Sequence, residues 1–137
     1  MRSAERDYSH RSLLDKLGVK PGQRISVIGI DDEPFLNSLA DRAPDFEREK
    51  ASEEADIIIV GAEELKSLAR LNALARTIQK SSKKTGAIWV VYPKGQSRIR
   101  EADVMSAGKA CALVDNKVCR FSDTHTALRF VIPLARR

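Results

Sequence analysis

Asp31, Asp32 and Glu33 stand in a row just after a β-branched stretch that closes on Gly29. Three consecutive carboxylates at such a place would repel a phosphate and better tolerate a ligand that carries an ammonium group. Two similar places follow. Gly61 and Glu63 come after the apolar run ADIIIV, and Tyr92-Pro93-Lys94-Gly95 comes at the end of AIWVVY. Tyr92 would offer an aromatic ring, and Lys94 a point charge for a carboxylate or phosphate. In open sheets flanked by helices, ligands bind outside the carboxyl ends of the strands. Gly29, Asp31, Asp32, Gly61, Glu63, Tyr92 and Lys94 are therefore the candidate binding residues. Each also has an ordinary structural use. Asp31, Asp32 and Glu33 suit a helix start, where carboxylates cap free N–H groups and complement the dipole, and so do Glu63 and Glu64. Tyr-Pro suits a strand end, with Lys94 in solvent.

No residue is assigned a catalytic role. The SDTHT stretch holds Ser122, Asp123 and His125, but three such residues in one turn cannot take up the geometry of a catalytic triad. A turn is the expected role for His125. His10 lies near the start of the chain, and no cysteine sits at ligand spacing from either histidine, so no metal site is expected. Cys111 and Cys119 lack CxxC spacing and are read as small, buried, reduced side chains.

The elements that must position these residues follow from the apolar pattern. Ser12 caps a short helix carrying Leu13, Leu14 and Leu17, ended by Gly18. Pro21-Gly22 makes a turn into a strand from Arg24 to Gly29. Asp32 and Pro34 start a second helix, and a short edge strand is expected around Phe46. Ala55–Val60 is an apolar run apart from Asp56, which suits a strand buried on both faces. Residues 62 to 80 carry Leu65, Leu68, Leu71, Ala75 and Ile78 on one helical stripe. A second buried strand spans Ala87–Tyr92, with Trp89 in the core, and a helix spans Glu101–Ala110. Leu113–Phe121 and Ala127–Leu134 read as two strands joined by SDTHT, a connection short enough for an antiparallel hairpin. Strands alternating with helices make a parallel sheet with right-handed crossovers. The expected fold is therefore α/β, a Rossmann-like three-layer sandwich, with a mostly parallel sheet and a C-terminal antiparallel hairpin.

The chain of 137 residues is long enough for one domain with its own core, expected over residues 12–137 behind an N-terminal arm over 1–11. No run of apolar residues is long enough to cross a membrane, and no apolar leader is visible, so the expected location is the cytoplasm. The net charge of +5 favours anionic partners in a general way. The basic residues are scattered and aromatics make up only 5%, so a nucleic-acid footprint is not expected. An uncovered sheet edge could be protected by a second copy of the chain.

LGVKPGQRISVIG, followed at the far end by VDNKVCRFSDTHTALRFVIP, resembles the S-adenosylmethionine-dependent methyltransferases. There a similar turn enters the first strand and an antiparallel hairpin closes the sheet. With ADIIIVGAEEL and GAIWVVYPKG, these stretches also resemble a bacterial family of small uncharacterised proteins, number three thousand and fifty-two of the domain-of-unknown-function series. The resemblance runs from about residue 12 onward. It implies a shortened methyltransferase-like fold and no particular activity. The methyltransferase pattern has a glycine-rich turn after its first strand, where this chain keeps one glycine. The acidic residue that would meet a ribose would be Glu47 or Glu49. A [DN]PP[YF] motif, used for nucleic-acid amino groups, is replaced by Val60-Gly61-Ala62-Glu63. The expected function is a non-enzymatic module for a small ligand or a protein partner. The alternatives are a divergent S-adenosylmethionine-dependent methyltransferase and weak nucleic-acid binding through the basic surface.

Overall fold

A computed structural model describes residues 12–137; the arm expected over 1–11 lies outside them. The chain runs α1 (Leu13–Leu17), β1 (Ile25–Ile28), α2 (Glu33–Arg42), β2 (Glu47–Arg48), β3 (Ile57–Gly61), a 3-10 helix (Leu65–Arg70), α3 (Leu71–Lys80), β4 (Ala87–Pro93), α4 (Glu101–Ala110), β5 (Val114–Arg120) and β6 (His125–Val131). A last 3-10 turn covers Leu134–Arg136. The helix ends match the sequence signals. Ser12 Oγ accepts from Asp15 N at 3.1 Å, Gly18 closes α1 with φ +79°, and Asp32 Oδ1 accepts from Phe35 N at 3.0 Å.

The six strands form one sheet in the order β2-β1-β3-β4-β6-β5. β2, β1, β3 and β4 are parallel; β6 runs antiparallel to β4, and β5 antiparallel to β6. Helices cover both faces. On one, α1 and α2 place Leu14, Leu17, Phe35 and Leu39 against Val27, Ile59, Trp89 and Val91. On the other, α3 and α4 place Leu71, Leu74, Ile78 and Val104 against Ile58, Val60, Ile88, Val90 and Phe130. The fold is thus a three-layer α/β sandwich. All seven residues of β4 are buried, which is why that segment reads as an unbroken apolar run. Trp89 is fully buried, and its Nε1 donates to Leu17 O at 3.0 Å, tying α1 to the middle of the sheet.

Two elements differ from the sequence reading. Residues 62–80 are not one helix. Ala62 N donates to Val91 O, so the sheet continues past Gly61, and Glu64 is extended. The α-helix begins only at Leu71, after the 3-10 segment, which leaves Leu65 exposed. The apolar spacing was real, but backbone pairing consumed the first residues. The last strand begins at His125 rather than Ala127. His125 O accepts from both Phe121 N and Ser122 N, so only a tight turn separates β5 from β6. Among the described residues, no helix is long and apolar enough to cross a membrane.

Candidate functional site

The connection after β1 leads to α2 on one face of the sheet, and the connection after β3 leads to α3 on the other. Between these two strand ends the chain order reverses, and a crevice must open there. A cleft of about 280 Å³ lies at this point. Gly29, Asp31, Asp32, Gly61 and Glu63 all line it, together with Phe121 and His125. Two glycines are required by geometry. Gly29 has φ +69°, and a Cβ on Gly61 would stand 2.4 Å from Gly29 O. The two strand ends therefore approach more closely than any side chain allows.

The charged groups around this opening are mostly carboxylates. Asp31 is almost fully exposed and takes a 3.3 Å contact from Arg48 Nη2, which also reaches Ile30 O. Asp32 spends one oxygen on the α2 cap. Of the two glutamates that could face a ribose, Glu49 is the one turned to the glycine. It follows β2 with φ +57°, its N donates to Val27 O, and its carboxylate accepts from Gly29 N at 3.0 and 3.2 Å. Glu47 instead pairs with Lys50 at 3.9 Å. Besides Arg48, Arg70 stands near: its Nη1 lies 2.8 Å from where a Cβ on Gly29 would be.

Tyr92 and Lys94 are not brought to this cleft. Successive side chains of a strand face opposite sides. Val91 therefore faces the cleft, while Tyr92 is buried toward α4 and donates its hydroxyl to Glu101 Oε1 at 3.0 Å. Burial, together with the Glu101 carboxylate, pushes the Tyr92 pKa well above its ordinary value. Lys94 lines a separate cleft of about 440 Å³ with Gln96, Arg100 and Thr126.

His125, for which the sequence predicts only a turn, also lines the cleft. As the first residue of β6 it pairs with Pro93, and its ring reaches the cleft. Its Nε2 lies 2.7 Å from Glu63 Oε2, and its Nδ1 lies 2.8 Å from Thr124 Oγ1. Arg98 binds the same glutamate, through Glu63 O at 2.9 Å and Oε1 at 3.5 Å. The carboxylate comes from a loop sixty-two positions away, which no local spacing announces. The one available signal was the period of two, since His125 is in phase with Ala127 and Arg129. Cys111 and Cys119 are free and half-buried, away from the cleft, and burial raises the pKa of both thiols. Among the described residues, no cluster of histidine, cysteine or acidic side chains could hold a metal ion.

Several solved structures that superpose on the chain are methyltransferases. The chain superposes on the mitomycin 7-O-methyltransferase MmcR with a TM-score of 0.61 at 9% identity, over 85% of this chain and 50% of that one. It superposes on a SAM-dependent methyltransferase from Aquifex aeolicus with a TM-score of 0.60 at 14% identity, over 88% of each chain. A chain of the complex between the Haloferax volcanii Trm112 methyltransferase activator and the putative methyltransferase gives 0.59 at 11% identity, over 95% of each. The fold is methyltransferase-like. This chain spans half the length of MmcR and nearly the whole of the other two. No protein-family model matches it, and no curated protein sequence does.

Proposed function

We propose that the strand-end cleft binds S-adenosylmethionine and that the chain is a divergent S-adenosylmethionine-dependent methyltransferase. One observation carries this reading: at the switch point of the sheet, Glu49, Asp31 and Glu63 converge on the Gly29–Gly61 opening. The donor set suits the ligand. Carboxylates accept from ribose hydroxyls and from an ammonium group, and they favour a sulfonium cation over a phosphate. Glu49 would take the ribose hydroxyls, Asp31 the ammonium, and Arg70 the carboxylate of the methionyl tail. When bound, the cofactor supplies a methyl group on a positively charged sulfur. His125, oriented by Glu63, is the imidazole in the cleft and would serve there as the proton acceptor.

Thermal unfolding and calorimetry with S-adenosylmethionine and S-adenosylhomocysteine test the reading. At 100 times the dissociation constant a ligand adds about 2.7 kcal/mol, which is a rise of several degrees for a domain of this size. Asp31→Asn and Glu49→Gln each weaken binding about tenfold or more. Absence of both heat and shift at millimolar ligand overturns the reading. The non-enzymatic alternative has its own support in Glu49, which already occupies the Gly29 N–H, and in Arg70, which lies against the turn. A cleft that binds the cofactor and transfers no methyl group to any acceptor favours that alternative.

A further inference from the structure

The opposite end of the sheet holds a second concave site with the reverse charge. A pocket of about 360 Å³ opens at the amino-terminal ends of β3 and β4, beneath the end of α1. Arg129, Lys117, Thr85, Gln23 and Asp56 line it, over the indole of Trp89. Lys117 on β5 is directly opposite Arg129 on β6. Like charges at such a position repel, and a regular ladder would not have placed them so. The register of β5 shifts between Asp115 and Lys117, so Asn116 is an extra residue at this point. Without that bulge, Asn116 would face Arg129. The bulge substitutes a second cation, and bulges often re-aim a side chain in this way.

Among the described residues, nothing neutralises these cations. Among the described residues, the partner of the half-buried Arg129 is Asn116 Oδ1, at 3.3 Å from Nη1, and no carboxylate pairs with Arg129 or Lys117. Asp56 is the carboxylate facing the pocket, and it is already engaged: Lys83 Nζ lies 2.6 Å from one oxygen, and Arg24 N donates to the other at 2.7 Å. Burial, and then the charge of Arg137, make the charged form of Arg129 harder to keep than usual. Neutral donors complete the lining. Gln23 spends its Oε1 on Lys20 N, which leaves its amide N–H groups free to donate, and Thr85 contributes a hydroxyl.

We infer that this pocket is an anion site for the phosphate of a small phosphomonoester, held between the Arg129 guanidinium and the Lys117 ammonium. A guanidinium matches two phosphate oxygens in a fork, and an ammonium adds a point charge. The pocket is concave and of small-ligand size, which favours a discrete phosphate over a nucleic-acid backbone lying on an open stripe. The site is independent of the carboxylate-lined cleft, so it stands or falls separately from the methyltransferase reading.

Calorimetric titration with inorganic phosphate and phenyl phosphate, in chloride buffer of constant ionic strength, tests the site. Wild type releases heat and melts at higher temperature with either compound. Lys117→Gln weakens phenyl phosphate binding at least tenfold, yet the ligand-free variant is no less stable, because a like-charge contact has gone. Arg129→Gln does the same if it folds; if it does not, Lys117→Gln decides. Wild-type protein without heat, or stabilised equally by chloride, overturns the assignment, and so does Lys117→Gln that binds as wild type. A short single-stranded oligonucleotide whose binding phenyl phosphate cannot displace also overturns it, by moving the basic charge to a nucleic-acid surface.

Discussion

Asp56 shows how one side chain serves three connections. It opens β3 beside the start of β1, accepts from Arg24 N, and receives Lys83 from the loop after α3. Burial works to raise its pKa. The hydrogen bond from Lys83, the Arg24 N–H and the charges of both residues outweigh it, so the carboxyl stays below its ordinary value of 3.8. A depressed carboxylate stabilises the fold above its unfolded-state pKa, and the stability is lost as pH falls through the folded-state value. Wild type therefore loses stability as pH falls below about 4, and Asp56→Asn removes that part of the acid dependence. The same substitution costs about 1 kcal/mol at neutral pH, read as a lower urea midpoint. At this scale much was legible in the sequence. Ser12 and Asp32 cap the helices they precede, and Gly29 and Gly61 stand where only glycine fits. The His125–Glu63 pair and the Glu49 contact to Gly29 were not, because each joins residues far apart in the chain.

Elements meet here with little slack. α4 approaches the sheet closely because Gly108 faces Phe130: a Cβ on Gly108 would lie 2.1 Å from Phe130 Cε1. Phe130 is fully buried and cannot swing into solvent. Gly108→Ala gains some helix propensity, roughly 0.5–1 kcal/mol, but overpacking costs about 1–3 kcal/mol. The expected outcome is a melting temperature lower by several degrees, restored in part by the double variant Gly108→Ala with Phe130→Leu. A double variant no better than the single one would disprove the contact as the cause. Residues 62–80 carry the complementary lesson. The stripe at Leu68, Leu71, Ala75 and Ile78 is helical in phase, yet the Ala62–Val91 hydrogen bond keeps the chain extended beyond β3 and postpones the α-helix. Helix phase is a local property, whereas the start of a helix depends on where the neighbouring strand stops pairing.

Across the whole molecule, burial falls from the centre of the sheet to its edges. β4 is buried throughout and paired on both sides, whereas β5 is the outer strand and exposes Val114 and Val118. Opening free energies should follow that gradient. In native-state hydrogen exchange the amides of Ile88–Val91 are expected to be the slowest, and those of the 3-10 segment at Leu65–Arg70 among the first to exchange. Equal protection in both would contradict the arrangement. Sequence alone determined the layers. Apolar runs such as IIIV and AIWVVY suit strands covered on both sides, and the helical stripes between them supply the cover, so the pattern alone required a sandwich. Tertiary structure decided which chemical groups meet. Tyr92 and Lys94 turn away from the Gly29–Gly61 opening, His125 and Glu49 enter its surroundings, and a single bulge at Asn116 sets Lys117 against Arg129. The reason is physical: apolar burial is a sum over local pattern, while a site is a set of a few distances fixed by register, bulges and the order of strands.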